Sequence, residues 1–138
     1  MSAKDIFHSA VKNALVKEGW NITQDPLIIK IGTVAMQIDL GAEKIIAAEK
    51  AGEKIAIEIK SFLQPSAISE FHQALGQFIN YRFALLEKEP ERKLYLAVPL
   101  NIYKTFLTLP FIQNVLQGCQ VSLIIYNPEK EVIVQWIN

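Results

Sequence analysis

The chain has little of what most catalytic or metal-binding sequences advertise. A single cysteine, Cys119, cannot close an internal disulfide, and with only His8 and His72 beside it no zinc-ligand spacing exists. Cys119 therefore reads as a packed apolar side chain. The glycines are scattered, and Gly32, Gly41 and Gly76 stand alone without forming a phosphate loop. No stretch approaches the ~20 apolar residues of a membrane span. The opening MSAKDIFHSA shows no basic segment followed by an apolar core, so the cytoplasm is the expected compartment. Net charge is also missing: 14 basic and 14 acidic side chains cancel. A polyanion would have to be met by a local basic patch. Lys44, Lys50, Lys54, Arg82, Lys88, Arg92 and Lys93 are interleaved with acids and make no contiguous block.

What is present is a hydrophobic, ordered chain. Of 138 residues, 51% are hydrophobic and 20% charged, the composition of one folded domain spanning residues 1–138. Repeats, linkers and low-complexity tracts are absent from the sequence. Ser2 caps a first helix whose face is Ile6, Phe7, Val11, Ala14 and Leu15, ending near Gly19. Trp20 and Ile22 begin a short extended stretch that Asp25-Pro26 breaks, and residues 27–40 read as strand, or two strands around Gly32. KIIAAEKAGEKIAIEIK reads as a hairpin turning at Ala51-Gly52. After Pro65 the period changes from two to about 3.6, giving a long helix over residues 66–88. KLYLAVPL follows as a buried strand, then a helix over 103–117 that Pro110 interrupts, then strands VSLIIYN and VIVQWI. This order predicts an α/β domain, a mixed central sheet flanked by helices.

Within the hairpin's second arm, KIAIEIKSF places Glu58 and Lys60 on one strand face, with Ile57 and Ile59 on the other. Two accounts compete. In one, this arm is an edge strand whose charged face meets solvent, and Lys60 guards it against aggregation. In the other, Glu58 joins a second carboxylate, Asp39, and the Ile59 carbonyl in an oxygen shell for Mg2+, while Lys60 steadies a water or developing charge. Such a site would hydrolyse a phosphodiester. A turn at Gly52 sets Glu58 opposite a residue near 45, so Asp39 reaches the site only through irregular chain after Gly41; Glu49 is the substitute acid.

The order Asp39, Glu58-Ile59-Lys60, then Gln77 and Tyr81 on the long helix resembles the PD-(D/E)XK restriction-endonuclease-like superfamily. That resemblance implies a restriction-endonuclease-like fold, a Mg2+ or Mn2+ cofactor, catalytic roles for Asp39, Glu58, Lys60 and Gln77, and DNA contacts from Tyr81 and Arg82. Gln77 and Tyr81, four residues apart, share a helix face. More extensively, MSAKDIFHSAVKNALVKEGW, DLGAEKIIAAEK, EIKSF, SEFHQALGQFINY and IVQWIN resemble the XisH family of cyanobacterial fdxN element excision controlling factors. Membership would imply a role in programmed DNA excision during heterocyst differentiation, with a site-specific recombinase and a small XisI-type companion. A regulatory interaction module is the competing class, its surface drawn from Trp20, Tyr103, Phe106 and Trp136, and a homodimer fits either. His8, Glu18 and His72 are lesser candidates for the site; each also reads as a boundary or surface residue.

Overall fold

The computed structural model describes residues 3–31 and 45–138. Helix α1 (Ala3–Lys17) leads into strand β1 (Asn21–Gln24), then the hairpin β2 (Ile45–Lys50) and β3 (Glu53–Ile59). The long helix α2 (Ala67–Lys88) precedes β4 (Arg92–Pro99). A short turn, α3 (Leu100–Ile102), runs into a π-helical turn over Tyr103–Leu107, and α4 (Pro110–Gly118), β5 (Leu123–Asn127) and β6 (Val132–Ile137) complete the chain.

Among the described residues the six strands form one sheet in the order of the sequence. β3, β4 and β5 are parallel, while β1, β2 and β6 run antiparallel to their neighbours. Parallel neighbours need crossovers, and α2 and the α3–α4 segment provide them. Strand alternation splits the core in two. Val11 and Leu15 of α1 pack with Ile55, Ile57, Ile59, Ala97 and Ile124 on one face. Phe71, Phe78 and Leu85 of α2, with Ile112 and Leu116 of α4, pack with Ala56, Leu96, Val98 and Ile125 on the other. The expected α/β layering is present, with helices on both sides of a mixed sheet.

Local chemistry accounts for the boundaries. Ala51 and Gly52 have φ of 51° and 84°, the paired left-handed conformation of a two-residue hairpin turn. Ser66 caps α2 by accepting a hydrogen bond from the Ser69 backbone N–H at 3.2 Å.

One expectation is corrected. Residues 27–30 make no strand: Leu27 and Ile29 are buried and Ile28 and Lys30 exposed, so they alternate without a ladder, and only Ile31 makes a bridge. The rest of that predicted strand lies outside the described residues. The interruption expected at Pro110 in the helix over 103–117 is present: Pro110 has no N–H to give and stands at the start of α4, where none is required. No helix among the described residues is long and apolar enough to cross a membrane.

Candidate functional site

β3 is an interior strand, paired with β2 on one side and β4 on the other. This overturns the exposed-edge account of its charges. Glu58 is 2% exposed and Lys60 8% exposed. Glu58 faces the α2 side by alternation with Ala56, and its backbone lies opposite Ile45 and Leu96. The register places residue 45 across from Glu58, as the turn at Gly52 requires. Beyond the strand, the Lys60 N–H donates to the Ala97 carbonyl at 3.0 Å, and Tyr126 donates its hydroxyl to the Lys60 carbonyl at 3.3 Å. Lys60 Nζ is 3.8 Å from Glu58 Oε2. A buried carboxylate and ammonium thus stand side by side at the carboxyl end of a parallel strand, the end where open α/β sheets bind ligands.

The chain then turns sharply. Ser61 is buried, and Phe62 is also buried with φ of 55°, a conformation bulky side chains rarely adopt. Burial of the Phe62 ring in the α2-side cluster holds that turn in place.

Helix α2 brings its sheet-facing side over this surface. Phe71, Ala74, Phe78, Tyr81 and Leu85 are buried there, so Tyr81 is a core residue as well as a neighbour of Gln77 on the helix. Gln77 is half-buried. Arg82 lies on a different flank, roughly 140° around the helix from Gln77. Its Nη1 donates to the Cys119 and Gln120 carbonyls at 2.9 and 3.0 Å, anchoring α2 to the end of α4.

Among the described residues the acids do not gather. Asp39 lies outside the described residues. Glu49 pairs with Lys54, four residues along β3 from Glu58 and so roughly 13 Å away, which removes it as the substitute acid. Its Oε1 is 3.9 Å from Arg92 Nη2 instead. Among the described residues no group of three or more His, Cys, Asp and Glu side chains could hold a metal. One carboxylate with an ammonium beside it does not make the oxygen shell a hard cation needs. The described residues alone therefore do not fit Mg2+ or Mn2+.

The lesser candidates have structural partners. His8 Nε2 lies 2.9 and 3.0 Å from the Asp25 carboxylate oxygens, and Lys12 Nζ lies 2.6 Å from Asp25 Oδ2. Glu18 accepts from Trp136 Nε1 at 3.0 Å. His72 is exposed on α2. Of the aromatics expected on an interaction surface, Trp20 is 7% exposed and lies against Trp136, while Tyr103, Phe106 and Trp136 are half-buried and Phe106 meets Phe71 edge to face. Sequence reasoning passed over Arg92, whose side chain is 3% exposed. It donates to Glu89 Oε1 and to the Ile55 carbonyl, each at 3.0 Å. The Glu89–Arg92 spacing of three at the head of an apolar strand was its only sequence signal.

Comparison with known proteins completes the picture. The XisH protein family matches residues 1–134. This chain belongs to the XisH family. An XisH family protein from Nostoc punctiforme PCC 73102 is similar to it at 58% identity, covering 97% of this chain and 100% of that one, with a TM-score of 0.89. A fdxN element excision controlling factor protein from Anabaena variabilis is similar at 57% identity, covering 97% and 99%, also with a TM-score of 0.89. No curated protein matches.

Proposed function

We propose that this XisH-family chain controls programmed DNA excision at the fdxN element as a regulatory factor, working through a XisI-type companion and alongside a site-specific recombinase. The observation that carries this reading is the whole-chain similarity to the Anabaena variabilis excision controlling factor. In this reading the buried Glu58–Lys60 pair fixes the carboxyl end of β3 and the turn that follows it.

A second reading rests on one feature: Glu58 and Ile59 end a strand parallel to β4, Lys60 follows directly, and Glu58 faces the side of the sheet that α2, the helix carrying Gln77, covers. That arrangement suits a restriction-endonuclease-like nuclease of the PD-(D/E)XK type. Asp39, Glu58 and the Ile59 carbonyl would then be the ligands for Mg2+ or Mn2+, the cation that activates a water for phosphodiester hydrolysis. Lys60 would supply positive charge beside it. Gln77 would be the remaining catalytic group, with Tyr81 and Arg82 as the DNA contacts.

One experiment separates the two. In a heterocyst-forming host deleted for its own factor, the excised junction is scored by amplification after complementation with the wild-type chain or with Glu58→Gln. Rescue by both supports regulation; rescue by wild type alone, with the variant folded and abundant, supports the nuclease. No rescue by the wild-type chain would sink the excision role.

A further inference from the structure

Helix α2 has a second apolar face that the described residues leave largely uncovered, although Leu75 at its edge packs against the core. Ile68, Leu75, Ile79, Phe83 and Leu86 recur at steps of seven, four, four and three, which keeps them in one line along a 3.6-residue helix. Phe83 is 65% exposed, Leu86 58% and Ile68 41%. Leu75 and Ile79 are half-buried. The line is distinct from the sheet-facing row of Phe71, Ala74, Phe78, Tyr81 and Leu85, and it lies away from Gln77. Apolar side chains this large, aligned and open to water mark a contact surface.

A glycine beside that line strengthens the case. Gly76 sits in the middle of a 22-residue helix, where it weakens the helix relative to alanine. A Cβ built on it meets nothing within 4 Å. Nothing inside the described fold therefore asks for glycine, whereas another helix backbone crossing close by would.

We propose that this face of α2 is a homodimer interface, covered by α2 of a second copy running antiparallel about a two-fold axis that passes between Leu75 and Ile79, near Gly76. Around that axis Ile68 meets Leu86 of the second copy, and Leu75 meets Ile79. Charge selects the occupant. A two-fold axis sets each group near it against its own kind, so a charged side chain there repels itself. The eleven residues from Phe71 to Tyr81, FHQALGQFINY, contain no Asp, Glu, Lys or Arg. The chain's formal net charge is zero, so two copies carry no monopole repulsion. The stripe spans ~27 Å of helix, and pairing over that length buries on the order of 1,000 Å2, the lower bound for a specific interface. The dimer does not depend on which functional reading of Glu58 holds.

Sedimentation equilibrium on the full chain tests it. At about 100 µM the wild type is expected at twice its 15.6 kDa mass. The double variant Phe83→Glu/Leu86→Glu should dissociate at least about thirty-fold more readily, with an unchanged far-UV circular dichroism spectrum because both positions are exposed. Gly76→Leu, placed in open space, should keep the fold and also weaken the dimer. A monomeric wild type at that concentration would overturn the proposal, including the case where the companion protein binds this face instead. Wild-type dimer affinity in both variants would overturn the surface.

Discussion

The Lys60 ammonium stands 3.8 Å from Glu58 Oε2, on side chains only 10% and 3% exposed. Both ions have left water, so their attraction is set against a desolvation cost of several kcal/mol each. Removing one partner leaves the other charge buried. Glu58→Ala is therefore expected to lower unfolding free energy in urea by about 3–5 kcal/mol, while Glu58→Leu/Lys60→Met loses less than either single change. A double variant less stable than both singles would show that the pair is not the unit that matters.

Arg92 uses its guanidinium differently from a point charge. It donates to Glu89 and to the Ile55 carbonyl and lies near Glu49, joining β2, β3 and the end of α2 at the head of β4. Lysine cannot reproduce that fork. Arg92→Lys is expected to cost about 2–3 kcal/mol in a denaturant titration, more than most surface substitutions. A loss under about 0.5 kcal/mol would mean that the fork contributes nothing beyond charge.

These buried charges also mark the limit of what the sequence discloses. The hairpin at Ala51-Gly52, the capped α2, the buried β4 and the register opposing residue 45 to Glu58 were all legible, because period and turn chemistry are local. Whether β3 is an edge or an interior strand depends on what pairs with it, and β4 is more than thirty residues further along the chain. So Glu58 and Lys60 read as exposed on pattern alone. Pro110 was legible as an interruption, but its place as the first residue of α4 depends on the chain turning before it. Arg92 was invisible because its partner carbonyl, Ile55, belongs to another strand. Asp39, the residue on which the metal reading turns, lies outside the described segments.

Acid should weaken the tie between α1 and the end of β1. Burial works to raise the Asp25 carboxyl, but hydrogen bonds from His8 and Lys12, with their charges, outweigh it and hold the pKa below its ordinary value of 3.8. In the range between the two values the unfolded chain binds the extra proton. The contribution is therefore fully present above the unfolded pKa and is lost as pH falls through the folded one. The stability gap between wild type and Asp25→Asn, followed by thermal melts, should close as pH drops below about 4. A gap that widens there would reverse the sign.

Ala51 occupies a left-handed position without the side chain that tolerates it best. Ala51→Asn should raise stability by about 0.5–1 kcal/mol, because asparagine before glycine favours the two-residue turn. An unchanged melting temperature would place the hairpin's strain elsewhere.

The central claim is that this XisH-family chain acts by binding a companion. Its most direct test is sedimentation velocity of the full chain titrated with the XisI-type protein from the same genome. The account predicts a saturable heterocomplex at micromolar concentration or below, about −8 kcal/mol or tighter, retained in the Glu58→Gln variant. Two boundaries sedimenting independently at tens of micromolar, on the order of ten times that dissociation constant, would contradict it.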